Sequence, residues 1–547
     1  MRICYYFIDI VFIMKKRISV AAAAIPAVCL LLLAGCSGKK TVEVTPENSL
    51  DWMSVYRITI EDTATVIQGN VYGREGDCIT IPSDVYLRGG AAGTEYRLLH
   101  SPQDAQEKTV TIPQDMTMPF TLVFEPLAGN EPYVDLCCGN ETIKGIRTRP
   151  VKTKYRTVIN GTLTGRPNTS RMILIQAGLD ERVNPYISIP VSGEKFSYTL
   201  RTDTETAYEL ICWDELINGG YIPATVFSDN GTVDIRFFPW EDDKAPEITG
   251  TTSEMNQEYQ EYLNDAITRF REKELQAMAD SLFAAGNFYT EKYTRLLDSA
   301  IAAGYPADLM EELNRRQRDE DMVSEAAMEY IKEYDSLDMA KVLHIIRYNE
   351  ENPGIVGYYI LFDRYMWEND STSKAGYREI FHTLYEKQYP DHPFTVRMLD
   401  LIASEDIRPG GRYIDFTAPE PDGTEHTLSE EIKGKIAVID LWASWCGPCR
   451  RHSRELIPVY NEYKDRGFTV VGIARETGNT DAMENAIKKD GYPWLNLVEM
   501  NDRDRIWQKY GAGNGGGRII LVAADGSIVK VDPTAEYVKK YLEDNIK

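Results

Sequence analysis

The sequence is short of positive charge. Lys and Arg number 60 against 84 Asp and Glu in 547 residues, a net charge of −24. That excess repels phosphate backbones and anionic surfaces, so nucleic acid is not expected as a partner. The composition also argues against a disordered tail or a multi-span membrane protein, because 43% hydrophobic and 26% charged residues describe folded, soluble material. Cysteine is scarce, nine in all. What is missing around one pair of them excludes several chemistries. Cys446, Cys449 and His452, in "SWCGPCRRH", offer only three ligands on one helical turn, whereas a closed zinc site needs about four and no second pair stands nearby. Haem attachment needs His directly after the second cysteine, and Arg450 is there instead. No lone cysteine sits in a Pro- and Thr-rich loop of the peroxidase kind. Neither a metal nor a cofactor is expected.

What is present begins with a targeting segment. "MKKRISVAAAAIPAVCLLLLAGC" starts at Met14 with Lys15, Lys16 and Arg17, continues as an apolar run and ends in small residues before Cys36. Basic end, apolar middle and small residues make a secretory signal. Pro26 and the short uncharged run argue against a spanning helix. Leu33-Ala34-Gly35-Cys36 resembles the lipobox of bacterial lipoproteins. Residues 1–35 are therefore expected to be a signal whose true start is Met14, with Cys36 lipidated and 36–51 a polar tether. Ser37, where lipoproteins kept in the inner membrane often carry Asp, points to the outer membrane of a Gram-negative envelope, facing the oxidising periplasm.

The length predicts about three or four domains at roughly 100 to 200 residues each. Over 52–150, short alternating runs such as "YRITI" and "FTLVFEPL", broken by Gly, Pro and Asp, predict an all-β sandwich. A second β-rich domain is expected over 151–245, with a hairpin turn at Ser192 to Lys195 in "VSGEKFSYTL". Over 246–408 the period turns helical: Met255, Tyr259, Leu263, Ile267 and Phe270 share one face, and Ser253 is placed to cap the helix. This region reads as a spacer or docking segment, its charge run at 314–321 as a solvated face. Over 409–547 strands alternate with helices, which predicts a parallel or mixed sheet covered by helices. Cys78, Cys137, Cys138 and Cys212 fall in the β regions. Burial as small apolar residues is the first reading and a structural disulfide the second, with Cys137 and Cys138 on opposite strand faces.

The chemistry lies in the last section. "GKIAVIDLWASWCGPCR" runs an apolar strand, 436–442, into Cys-Gly-Pro-Cys at the start of a helix. Two cysteines three apart at a helix N-terminus can close a disulfide, and the positive end of the helix lowers the pKa of the outer thiol. Cys446, nearest the exposed turn, is expected to attack, and Cys449, one turn inside, to resolve the mixed disulfide. Pro448 suits the first turn, where its missing N–H is not needed. Asp440, an acid in the middle of an apolar strand, is costly to bury without a task and is the expected general base for Cys449.

"DLWASWCGPC" resembles the active-site segment of thioredoxin. With the exported setting, the section from about 410 resembles TlpA/ResA-like thiol-disulfide oxidoreductases, grouped with the AhpC/TSA superfamily. "FTAPEPDGTEHTLSEEIKGK" resembles the family's lead-in and "ILVAADGSIVKV" its closing hairpin. The β-rich regions resemble accessory domains found upstream of thioredoxin domains in exported lipoproteins. The resemblance implies a thioredoxin-like fold for 409–547 and an active-site environment that includes Trp445, Gly447 and Pro448. It also implies reduction of disulfides in other envelope proteins, with an upstream donor returning the electrons. The alternative is a binding or assembly lipoprotein whose thioredoxin-like domain only docks. His452 departs from the family, which often has an acid there; an exposed first-turn side chain is the plainer reading, and a cation that tunes a thiolate the other. The family's loop before the closing hairpin carries a cis-proline against the disulfide. Here "GAGNGGGR" has none, and the spacing lands on Gly517, with Gly516 beside it. A trans bond and a roomier mouth above Cys446 are expected.

Overall fold

The structure, a computed structural model, describes residues 40–546 apart from 45–48, 51, 74–76, 81–83, 90–92, 101–108, 113–116, 129–130, 150–151, 181–183, 185, 243, 271, 305–306 and 513–515. The signal segment, Met14 and Cys36 lie outside the described residues, as do the side chains of Ile267 and Phe270. Contacts divide the chain into two compact units, one ending at Lys152 and the other starting at Thr153.

In the first unit, period-two burial of the kind seen in Thr65–Tyr72 puts every second side chain into a core. Eight strands form one antiparallel ladder from Lys40–Glu43 at one edge to Glu141–Arg147 at the other. The sequence reading expected a sandwich. The two halves are joined because Glu95–His100 pairs on both sides, with a register shift between Leu98 and His100 that bends the strand. Side chains from both ends, Val42 to Ile146, share one core. Cys138 belongs to it, while its buried neighbour Cys137 does not. Cys78 corrects the burial reading. It is exposed, because in the three-residue strand Cys78–Thr80, which pairs only with Thr109–Thr111, the neighbouring Ile79 packs against the core and Cys78 falls on the other face.

In the second unit two four-stranded sheets face each other. One runs in the order Lys195–Thr202, Tyr155–Leu163, Gly231–Phe237, Glu247–Thr251. The other runs Ile187–Pro190, Arg171–Gln176, Ala207–Cys212, Ala224–Phe227. Ile159, Phe196, Leu210, Cys212 and Phe237 lie between them. The turn at Ser192 to Lys195 is present. Gly193 and Glu194 take φ of 56° and 61°, and the Ser192 N–H donates to the Lys195 carbonyl at 2.8 Å. Its flanking strands belong to opposite sheets, so it carries the chain across the sandwich.

The helix Glu254–Phe270 starts at Ser253, whose Oγ accepts the Asn256 N–H at 3.4 Å, and Asp229 takes the Met255 N–H at 3.1 Å. The helical region is no free spacer. Tyr358, Phe362, Tyr385 and Phe394 share a core with Ala177, Ala207 and Phe227 of the sandwich. Its last helix, α1 (Pro393–Ser404), faces the C-terminal section through Asp400, which accepts from Arg505 Nε at 2.8 Å.

That section is a five-stranded mixed sheet. Strands β1 (Ile436–Trp442), β2 (Phe468–Glu476) and β3 (Leu495–Met500) run parallel, and β4 (Arg518–Val522) and β5 (Ile528–Val531) continue antiparallel, in the order β3-β2-β1-β4-β5. All seven residues of β1 are buried, which is why it reads as a continuous apolar run. Its odd-numbered residues enter one core, while Val438 and Trp442 enter the other, beneath α2 (Gly447–Tyr463).

Candidate active site

Strand β1 carries Asp440 and delivers the chain to Cys446, which takes the N-cap of α2. The Cys446 sulfur accepts the Cys449 N–H at 3.3 Å, and Pro448 occupies the first turn. Cys446 and Cys449 are joined by a disulfide, their Cα atoms 5.4 Å apart. Exposure corrects one expectation. Cys446 is only 7% exposed, whereas Cys449 is partly exposed. The N-cap geometry folds the Cys446 sulfur over the helix start. Trp445, 43% exposed, leans toward the buried Trp507 with ring centroids 6.2 Å apart.

Asp440 is 1% exposed and accepts a hydrogen bond from the Ser453 hydroxyl at 2.7 Å. Burial pushes its carboxyl up to about 7, and the Ser453 hydrogen bond pulls against that rise. The same hydroxyl hydrogen is shared with the Cys449 carbonyl, 3.1 Å from the Ser453 oxygen, which ties the acid to the helix that holds the cysteines. Asp440, Trp445, Cys446, Gly447, Pro448, Cys449 and His452 line one cleft of about 410 Å³, together with Gly516, Gly517 and Asp532. His452 is exposed at its edge.

The glycines are placed against the disulfide. The Gly517 N–H donates to Cys449 Sγ at 3.2 Å. A Cβ on Gly517 would stand 1.8 Å from the Leu441 carbonyl oxygen and 3.0 Å from Cys449 Sγ, so that position is filled. The expected room exists at Gly516, where a Cβ would meet Cys446 Sγ alone, at 4.0 Å, and where φ is 141°. The described residues contain no cis peptide.

Sequence reasoning missed three supports. Ser453 stands four residues after Cys449 on the same helix face, a spacing that could have revealed it. Glu476, at the end of β2, accepts from both the N–H and the hydroxyl of Ser444 at 2.7 Å, fixing the loop before Trp445. Burial raises its carboxyl above the ordinary value, and the Ser444 hydrogen bonds oppose this. Asp532 accepts the Ile519 N–H at 3.1 Å beside the cleft. Neither acid has a local sequence signal.

The site combines a mixed sheet, a helix whose N-cap is a cysteine, and a disulfide that shares one cleft with a buried acid. Residues 408–545 match the Redoxin family. The chain is similar to the thiol-disulfide oxidoreductase ResA of Bacillus thuringiensis, 26% identical over 144 residues, which cover 26% of this chain and 79% of that protein. It is 28% identical over 117 residues to the thiol:disulfide interchange protein DsbE of Allochromatium vinosum, covering 21% and 60% of the two. A solved thioredoxin domain of a thiol-disulfide oxidoreductase from Bacteroides vulgatus is 25% identical, covering 25% of this chain and 98% of that one, with a TM-score of 0.24.

Proposed function

We propose that this chain is an exported, lipid-anchored reductant of disulfides in other envelope proteins. The observation that carries the reading is the Cys446–Cys449 disulfide set in one cleft with the buried Asp440. In the reduced form, the Cys446 thiolate, favoured by the positive end of α2, attacks a substrate disulfide. A mixed disulfide forms and one substrate sulfur leaves as a thiolate. Asp440 then takes the Cys449 proton, and the new thiolate attacks the Cys446 sulfur. The mixed disulfide breaks, the second substrate thiolate departs, and two electrons have passed to the substrate. A carboxyl titrating near 7 suits this exchange, since it both accepts a proton from Cys449 and returns it in the reverse step. A dithiol donor of the envelope closes the cycle by reducing Cys446–Cys449.

Lipidation at Cys36 would hold the enzyme on the periplasmic face of the outer membrane. Insulin reduction with dithiothreitol tests the activity. The chain is expected to speed precipitation of the insulin chains over dithiothreitol alone, and a Cys446→Ser variant to lose that effect. Equal rates for the two proteins would reject the enzyme and leave a docking module.

A further inference from the structure

Strand β2 ends in two consecutive residues that grip different parts of the molecule. Glu476 holds Ser444, the residue before Trp445. Arg475, its neighbour and hence on the opposite strand face, is 1% exposed. Its Nε and Nη2 reach the two carboxylate oxygens of Asp502 at 2.6 and 2.5 Å, and Nη1 reaches Asp180 Oδ2 at 2.9 Å. Asp180 lies 295 residues earlier, in the β-sandwich, and is 2% exposed. The guanidinium carbon of Arg475 stands 5.2 Å from the ring centroid of Trp507, the same ring toward which Trp445 leans. A continuous packed path therefore runs from Asp180 through Arg475 and Trp507 to Trp445, next to Cys446.

A buried guanidinium is tolerable only when its charge and its donors are met. Asp502 alone fills one side of the fork; Asp180 supplies the acceptor for the other side and one more negative charge. Asp180, Arg475 and Asp502 fix the guanidinium plane that lies over Trp507, and they share one cavity with Arg397 and the Asp400–Arg505 pair, whose charges act on the same acids. We infer that Asp180, a residue of the accessory β-sandwich, is a positioning residue of the dithiol site, setting the Trp507 and Trp445 packing and the charge felt by Cys446. The inference rests on the proposed oxidoreductase function. It also gives the accessory region a part in the chemistry, because the C-terminal domain alone lacks one arm of the clamp.

The test is an Asp180→Asn substitution in the full chain, which keeps the shape and the acceptor but removes the charge. Equilibration with defined ratios of reduced and oxidised glutathione reads the dithiol–disulfide constant. Loss of one anion from the clamp favours the Cys446 thiolate and so the reduced form. The expected change is about threefold, equivalent to about 14 mV for a two-electron couple. The tryptophan emission of the oxidised protein should shift with it, and Asp180→Glu, which restores the charge, should bring both readouts back toward wild type. An Asp180→Asn protein with the wild-type constant and emission overturns the inference. Should that variant fail to fold, Arg475→Lys, which keeps the cation and loses the fork, must move the same two readouts, and their constancy overturns it equally. A wild-type chain that exchanges nothing with glutathione counts instead against the proposed function.

Discussion

Replacing Asp440 by Asn should stabilise the oxidised protein, by an amount that grows with pH. In the fold the carboxyl titrates at about 7 because burial disfavours its charge, whereas in the unfolded chain it titrates at about 3.8. Between those values the folded state holds a proton that the unfolded state has released, so stability falls as pH rises from about 4 to about 7 and is then level. The difference of about three pKa units corresponds to about 4 kcal/mol. Asn is nearly the same shape, carries no charge to desolvate, and can still accept the Ser453 hydroxyl proton. Urea unfolding followed by tryptophan fluorescence should therefore place Asp440→Asn about 4 kcal/mol above wild type at pH 8. The gap should shrink to under about 1 kcal/mol at pH 4, where the folded carboxyl is protonated and the unfolded one is roughly 40% protonated. The oxidised form is the one to use, since no thiol then titrates beside the acid. A gap independent of pH, or a variant less stable than wild type at pH 8, would refute the assignment of a buried, proton-holding carboxyl. The same variant should lose most of the reductase activity, so one substitution is expected to raise stability and lower function together.

Ser453→Ala removes the hydrogen bond that favours the ionised acid, so the pH midpoint of disulfide reduction should rise by up to about one unit; an unchanged pH profile would separate Ser453 from the acid. Gly517→Ala forces a methyl against the Leu441 carbonyl and the Cys449 sulfur and should cost about 3 kcal/mol or more in urea unfolding. Gly516→Ala meets only backbone strain, about 1 to 2 kcal/mol, and the reverse order of severity would contradict the packing described. Cys449→Ser should accumulate mixed disulfides with envelope proteins, visible as bands on non-reducing gels that dithiothreitol removes, while the double variant with Cys446→Ser should show none.

The parts legible in the sequence are those with a local cause. The apolar run 436–442 coincides with β1, because a strand buried on both faces needs no alternation. The cysteine spacing placed the dithiol at a helix start, and the Gly193-Glu194 turn followed from its residues. Contacts made across the chain left no period to read. The clamp on Ser444 comes from an acid 32 residues away, and the clamp on Arg475 from one 295 residues away. The joining of the first unit into one ladder depends on a bend within Glu95–His100 that no motif announces. The burial of Cys446 relative to Cys449 likewise has no signal in the motif, since it follows from the N-cap bond between the Cys446 sulfur and the Cys449 N–H.

Gly517 holds the disulfide through its backbone. A proline at that position would press a ring on the sulfurs but would have no hydrogen to give. The glycine instead brings a backbone donor within 3.2 Å of Cys449 Sγ, close enough that no side chain could be interposed. When the disulfide opens, the sulfur that emerges as a leaving group already faces a hydrogen-bond donor.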